Sequence, residues 1–429
     1  MLSKRLVQML GLLLAFALVA AACGGDDSSD TTATTAGGGT DTTATTAGGT
    51  PDDFKLGIIL VGPGNDRGYS QAHLEGAEYA VEQLGLSVED NLEVFEFANT
   101  TDTPGLSLPG VAADMVDLGV DLIIFNSDDM RDGAFEAAEQ LPDVPMIWAS
   151  GDSAWSDGKE YRPDLTNLGN IWAQMTYGKA IAGCAAALTT QTGKLAYLGP
   201  LTNDETRRLV NSAYQGAEYC WENYRGESPG SLEFEVTYIG FWFEIPGVTL
   251  DPVLVVNDFI DGGADVTLSG IDANVALIRT GQRADAGEDL WAVPYDFVGS
   301  CDEAPDICLG VPFFNWGPAY LESAQSVIDG TFTADWQWIE PYWDDINDPH
   351  NSVVGFFQGN GLTADNAASV DEYIGGLADG SIELFEGPLN WQDGTSWLGD
   401  GEVATDFQIW YSEQCLEGIE GICSVNVFG

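Results

Sequence analysis

The residues that could do chemistry in this chain lie where short apolar runs end. Leu56-Gly57-Ile58-Ile59-Leu60-Val61 gives way to Gly62-Pro63-Gly64-Asn65-Asp66-Arg67-Gly68-Tyr69. Asp121-Leu122-Ile123-Ile124-Phe125 gives way to Asn126-Ser127-Asp128-Asp129-Met130-Arg131-Asp132. Further on come Gly240-Phe241-Trp242-Phe243, Gly270-Ile271-Asp272-Ala273-Asn274 and Tyr295-Asp296-Phe297. Carboxylates can accept hydrogen bonds from ligand hydroxyl or amino groups, and aromatic rings can sandwich a flat ligand. Plainer uses exist for the same residues: Asp66 or Asp132 can cap a helix, Asp296 can sit in a solvated turn, and Tyr69 and Trp242 can pack in a core. Catalysis has little to stand on. No nucleophile elbow occurs, and His73 and His350 are the only histidines. Gly62, Gly64 and Gly68 do not have the Gly-x-Gly-x-x-Gly spacing, and no Lys-Ser/Thr follows them. No Cys-x-x-Cys pair offers a zinc site, so no metal, cofactor or catalytic residue is expected.

The elements that must position these loops alternate in type. Strands are expected at 56–61, 92–97, 121–125 and 144–148, with helices at 70–84 and 132–140. The rhythm restarts with a helix at 171–189, a strand at 195–198, a helix at 205–222 and a strand at 233–238. A helix at 251–262, a strand at 265–269, a helix at 273–283 and a strand at 290–294 complete it. Apolar runs of this length between helices mark strands of parallel α/β sheets, here two Rossmann-like lobes. Such sheets bind ligands beyond the carboxyl ends of their strands, so two facing lobes make a cleft.

The chain has 429 residues, enough for a two-lobed body. Acids outnumber bases 68 to 14, a formal charge of −54 that repels phosphate backbones and excludes nucleic acid as a partner. The acidity fits simple solubility or a saline medium that screens self-repulsion. Lys4 and Arg5 precede an apolar run from Met9 to Ala22, too short for a comfortable membrane span of about 20 residues. The run ends in Ala20-Ala21-Ala22-Cys23, which resembles the lipobox of bacterial lipoproteins and implies lipidation of Cys23 after removal of the signal. Residues 24–53 repeat Thr-Thr-Ala-Thr-Thr-Ala-Gly-Gly and offer almost nothing apolar to bury, so they read as a disordered tether. Six further cysteines suit an oxidising compartment. Cys301 with Cys308 and Cys415 with Cys423 could each staple a short loop, which leaves Cys184 with Cys220; spacing alone does not settle the connectivity.

Several motifs recur in one order. They are Asn65-Asp66-Arg67-Gly68-Tyr69, Asp132 before Pro142-Asp143-Val144, and Asn167-Leu168-Gly169 before a helix through Gly178 and Gly183. Arg208 and Asn211 precede Gly216-Ala217, and Asp251-Pro252 precedes Gly262-Gly263-Ala264-Asp265-Val266. Tyr295-Asp296 and Asn315-Trp316-Gly317-Pro318, with Asp329-Gly330-Thr331, close the series. From Phe54 to about Pro388 the chain resembles the BMP family (basic membrane lipoproteins, PnrA-like or Med-like). These are substrate-binding lipoproteins of ABC importers with a type I periplasmic-binding fold, and several bind purine nucleosides. The resemblance implies an extracytoplasmic, membrane-anchored binding protein that serves an ABC permease and ATPase. It implies stacking on a purine by Tyr69 and by Phe241 or Trp242, with polar contacts from Asn65, Asp66, Ser127, Asp132, Asp272 and Asp296. The first lobe would take 54–168 with 297–335, and the second 169–296 with 336–429. The chain departs from the pattern at Phe314, where nucleoside-binding members often have Lys, at the insertion Glu244–Leu250, and after Pro388. A sensory lipoprotein, a binder of a sugar or other small polar ligand, and a nucleoside hydrolase-like enzyme built on Asp66 and Asp132 are the competing readings.

Overall fold

A computed structural model describes residues 53–99 and 102–423. The expected signal with Cys23 and the tether, apart from Asp53, lie outside the described residues. Among the described residues no helix is long and apolar enough to cross a membrane.

The first lobe opens with β1 (Leu56–Ile59), buried at every residue, then α1 (Tyr69–Gln83), α2 (Val88–Asn91) and β2 (Leu92–Phe95). Next come α3 (Leu108–Asp117), β3 (Leu122–Phe125), α4 (Arg131–Gln140), β4 (Met146–Trp148) and β5 (Leu168–Ala173). The second lobe runs through α5 (Met175–Thr189), β6 (Lys194–Gly199), α6 (Asp204–Asn223), β7 (Glu233–Tyr238) and α7 (Pro252–Asp261). It continues with β8 (Val266–Ser269), α8 (Val275–Asp285) and β9 (Trp291–Val293). The chain returns to the first lobe by β10 (Gly310–Phe314), α9 (Gly317–Ile328) and β11 (Trp336–Ile339), and α9 packs on α1. It goes back by β12 (Val354–Gln358), antiparallel to β10, to α10 (Ala364–Ala378) against α5. A tail of β13 (Leu389–Asn390), β14 (Ser396–Leu398), α11 (Asp406–Trp410) and β15 (Ile419–Glu420) ends the described chain.

Both large sheets are wholly parallel. The first has the order β11-β5-β4-β3-β1-β2, and the second β15-β7-β6-β8-β9. The winding reverses between β1 and β3 in one and between β6 and β8 in the other. Loops diverge at such switch points and leave a crevice at the strand ends. Two features differ from the sequence expectation. Residues 168–173 form β5, where a helix from 171 was expected. Ile171 and Trp172 suit a strand, and β5 is fixed by long-range pairing between β4 and β11. Residues 336–339, expected with the second lobe, are an edge strand of the first sheet.

Helix α5 is buried at every residue but Tyr177, because α6, α10, β10 and β12 surround it. Its closest approach is to α6. A Cβ at Gly183 would overlap the Ala213 carbonyl, and one at Gly216 the Ala180 carbonyl. Cys184 and Cys220 are joined across the same contact with Cα atoms 5.2 Å apart. Cys301–Cys308 and Cys415–Cys423 are the other two disulfides. Replacing Gly216 by Ala should gain about 1 kcal/mol of helix propensity but force the helices apart. Urea unfolding should show a net loss of about 2 kcal/mol; a neutral or stabilised Gly216→Ala protein would refute this account of the packing.

Candidate ligand-binding site

The ends of β1, β3, β6, β7, β8 and β9 converge on one cavity. From the first lobe it takes Tyr69, Ser127, Asp128, Ser150 and Trp172, and from the second Glu205, Trp242, Asp272, Tyr295 and Asp296, with Tyr197 on its wall. The cavity between these side chains has a volume of about 20 Å³. That is room for roughly one water, so the lobes stand closed on each other. Gly68 makes the closure possible: a Cβ there would overlap the Asp272 carbonyl of the opposite lobe. The carbonyl of Arg67 accepts hydrogen bonds from Asn274 Nδ2 and Ser300 Oγ, both at 3.2 Å, and its guanidinium pairs with Glu303 at 3.0 Å.

Five of the nine residues singled out in the sequence line the cavity. Tyr69 is the first residue of α1, and its hydroxyl donates to the Asn126 carbonyl at 2.6 Å, which fixes the ring. Ser127 follows β3, and its carbonyl accepts from Trp148 Nε1 at 2.9 Å. Trp242 lies after β7, and its carbonyl accepts the Asp272 N–H at 3.0 Å, tying two lining loops together. Asp296 is fully buried and has φ of +73°, a left-handed conformation that a non-glycine residue keeps only when its surroundings impose it. Here β10 imposes it: Asp296 N donates to the Pro312 carbonyl at 3.2 Å, and Phe314 N donates to the Asp296 carbonyl at 3.0 Å. Neither carboxylate oxygen of Asp296 makes a well-formed hydrogen bond.

The other four are elsewhere. Asp66 caps α1, accepting from the N–H groups of Gly68, Ser70 and Gln71 at 2.8, 2.9 and 3.0 Å, so its helix-capping use accounts for it. Asn65 is exposed. Asp132 faces solvent and pairs with Arg131 at 2.8 Å. Phe241 packs edge-to-face on Phe243, centroids 5.0 Å apart, and does not line the cavity.

Two lining residues carried no expectation from sequence: Trp172, in β5 where a helix was expected, and Glu205, which sits in the first turn of α6 two residues after its Asn203 cap. Nor did Lys179, a cation at the buried centre of α5. Its Nζ donates to the Ser269 carbonyl at 2.7 Å and lies 3.0 Å from the Tyr295 ring centroid. A lone lysine in an otherwise alanine-rich helix was the available signal. Phe314, where the resembled family often has lysine, is buried among Trp172, Tyr295 and Trp316. The buried basic side chains near this site are therefore Lys179 of α5 and Arg208 of α6.

Burial dominates the electrostatics. It raises Asp272 and Asp296 well above the usual carboxylate range; each is raised further by neighbouring acids, while Lys179 pulls Asp296 down. Burial depresses Lys179 well below the ordinary lysine range. Burial lifts Asp128 to about 6 and Glu205 to about 7, with Arg208 opposing both shifts. A raised carboxyl pKa favours the native state while the group is protonated. The contribution of Glu205 is thus full below its unfolded value of 4.5 and is lost as pH rises through about 7. Glu205→Gln should therefore be more stable than the parent at pH 8, by up to about 3 kcal/mol, with the difference shrinking toward pH 4.5. Denaturant unfolding at both pH values tests this, and a difference independent of pH would refute it.

No family model matches the chain. In sequence it is similar to a purine-binding protein of Brucella abortus (strain 2308), 26% identical over 356 residues, which cover 83% of this chain and 89% of that protein. In structure it is similar to an ABC transporter solute-binding protein from Aeropyrum pernix K1, with a TM-score of 0.59, 12% identity, and coverage of 85% of this chain and 100% of that one. The solute-binding protein from Conexibacter woesei DSM 14684 gives 0.55, 16%, 77% and 97%, and a transcriptional activator of the comK gene from Bacillus halodurans gives 0.56, 15%, 76% and 99%. Identities this low carry the fold alone. That fold is the type I periplasmic-binding fold, two parallel α/β lobes joined by crossing strands.

Proposed function

We propose that the chain is an extracytoplasmic solute-binding protein that hands a purine nucleoside or nucleobase to an ABC permease and its ATPase. On this reading it is a carrier and not an enzyme. Cys23 holds it to the outer face of the cell membrane, and the Thr/Gly-rich tether gives it reach. The observation that carries the proposal is the fully buried Asp296 carboxyl, with only Tyr295 as a neighbouring hydroxyl donor, in a cavity walled by Tyr69, Trp172, Trp242 and Tyr295. A buried carboxyl with so few donors is costly, and a ligand N–H or O–H adds to them. Aromatic walls suit the flat faces of a base. The sequence similarity to a purine-binding protein over most of both chains supports the ligand class. The room left in the closed cavity requires the lobes to part for entry and to close again by hinge motion.

Calorimetry with adenosine, guanosine, inosine and hypoxanthine, set against ribose and amino acids, tests the proposal. Binding is expected with at least one purine compound. Asp296→Asn should weaken it roughly tenfold, as expected for loss of one hydrogen bond made by a buried carboxyl. Heat on titration of sugars or amino acids alone, with none from any purine compound, would remove the proposed ligand.

A further inference from the structure

The tail after Pro388 belongs to both lobes at once. Its hairpin, β15 and the Cys415–Cys423 disulfide bury Trp391, Leu398, Leu416 and Ile419 in the core of the second lobe, and β15 extends that lobe's sheet beside β7. Asn211 on α6 fixes it there, donating to the Gln414 carbonyl at 3.0 Å and accepting the Leu416 N–H at 2.9 Å. Between these anchors, α11 reaches the other way. Trp410 and Tyr411 are buried in the core of the first lobe. Trp410 packs edge-on against Trp336 and Trp338 of β11, with centroids 5.2 and 5.3 Å away. The Tyr411 hydroxyl contacts the Asp152 carboxylate and accepts the Lys159 N–H at 2.6 Å, both partners lying in the first lobe.

The corner of this strap bears on the ligand cavity. Arg208 of α6 donates to the Trp410 carbonyl at 3.1 Å, and its guanidinium lies 4.5 Å from the Trp410 ring centroid. Arg208, Trp410 and Tyr411 line a second hollow of about 390 Å³ that shares Asp128, Ser150 and Glu205 with the cavity. The charged and titratable groups facing Arg208 are Glu205 and Asp204 on its own helix, Tyr295 after β9 and Asp128 after β3. Arg208 is therefore the arginine set against Glu205 and Asp128, and its backbone acceptor and ring platform come from the tail. We propose that Trp410 and Tyr411 are positioning residues for ligand binding: the tail straps the lobes together and holds Arg208 at the wall that the hollow shares with the ligand cavity.

The inference rests on the reading of the cavity as a ligand site, and its test separates the two. In the full chain, Trp410→Ala should weaken binding of inosine or guanosine roughly tenfold. The weakened binding should also shift its pH dependence between pH 5 and 8, since Arg208 no longer opposes protonation of Glu205. Trp410→Phe, which keeps a ring, should restore most of both. Tyr411→Phe, which removes only a hydroxyl, should fold normally and weaken binding to a smaller extent. A folded Trp410→Ala protein with the parent affinity and pH profile would overturn the proposal. If the parent binds no purine compound, the ligand reading fails and the strap is judged by geometry. Spin labels at the exposed Glu136 and Asp258, one on each lobe, should then report a longer or broader distance distribution in Trp410→Ala. An unchanged distribution would overturn the strap.

Discussion

The arrangement of this protein turns on the cost of burying carboxyl groups between two lobes. Asp296 is fully enclosed, Asp272 stands near it, and Glu205 at the start of α6 and Asp128 after β3 close the same space. Together they would repel one another and lose their hydration. One lysine offsets part of this from behind the wall. Lys179 reaches from the centre of α5 to the Ser269 carbonyl and the Tyr295 ring, and its charge favours the ionised form of Asp296. An elongated cation can do so only if its helix is sunk into the fold. The small residues of α5, its glycine-mediated contact with α6 and the disulfide across that contact are what allow the helix to sit so deep.

The same constraint explains the unusual backbone of Asp296. A side chain aimed between lobes from the end of an edge strand must leave the strand direction sharply. A positive φ provides that turn, and β10 stabilises it with hydrogen bonds on both sides of the residue. Since β10 is also one of the segments that crosses between lobes, the position of Asp296 is coupled to the hinge.

Local signals made most of the fold legible. Short Val, Ile and Leu runs between helices of regular length mark parallel strands wherever each strand pairs with a near neighbour in sequence. β5 escaped because one of its partners is β11, more than a hundred residues later, and because Asn170 sits inside it. That asparagine is buried, accepting the Ala154 N–H at 2.7 Å and donating to the Ser150 carbonyl at 3.0 Å, a role no periodicity reveals. The lobe membership of 336–339 escaped for the same reason. In the site, residues next to strand ends were legible, since a switch-point crevice must be lined by them: Tyr69, Ser127, Trp242, Asp272 and Asp296. Asp66 and Asp132 share that neighbourhood and chemistry but turn away, one onto the helix it caps and the other into solvent. Type and position along the chain cannot distinguish a carboxylate that satisfies its own backbone from one left for a ligand.

The acidity of the chain acquires a structural meaning in this setting. With 14 basic residues against 68 acidic ones, cations are scarce, and where they are buried they take structural posts. Lys179, Arg207 and Arg208 are all buried, and each donates to a backbone carbonyl: Ser269, Cys423 and Trp410 respectively. Two of those carbonyls belong to the tail, which lies beyond the region of family resemblance. Satisfying the Arg208 guanidinium by a neutral carbonyl and a ring leaves its charge without a carboxylate in direct contact, so its field extends to the carboxyls of the cavity. Carboxylate partners in direct contact would cancel it there. In a chain this acidic, Arg207 pairs with Asp204 at 3.1 Å, while Arg208, held on a neutral carbonyl and a ring, keeps a positive influence available at a site built from acids.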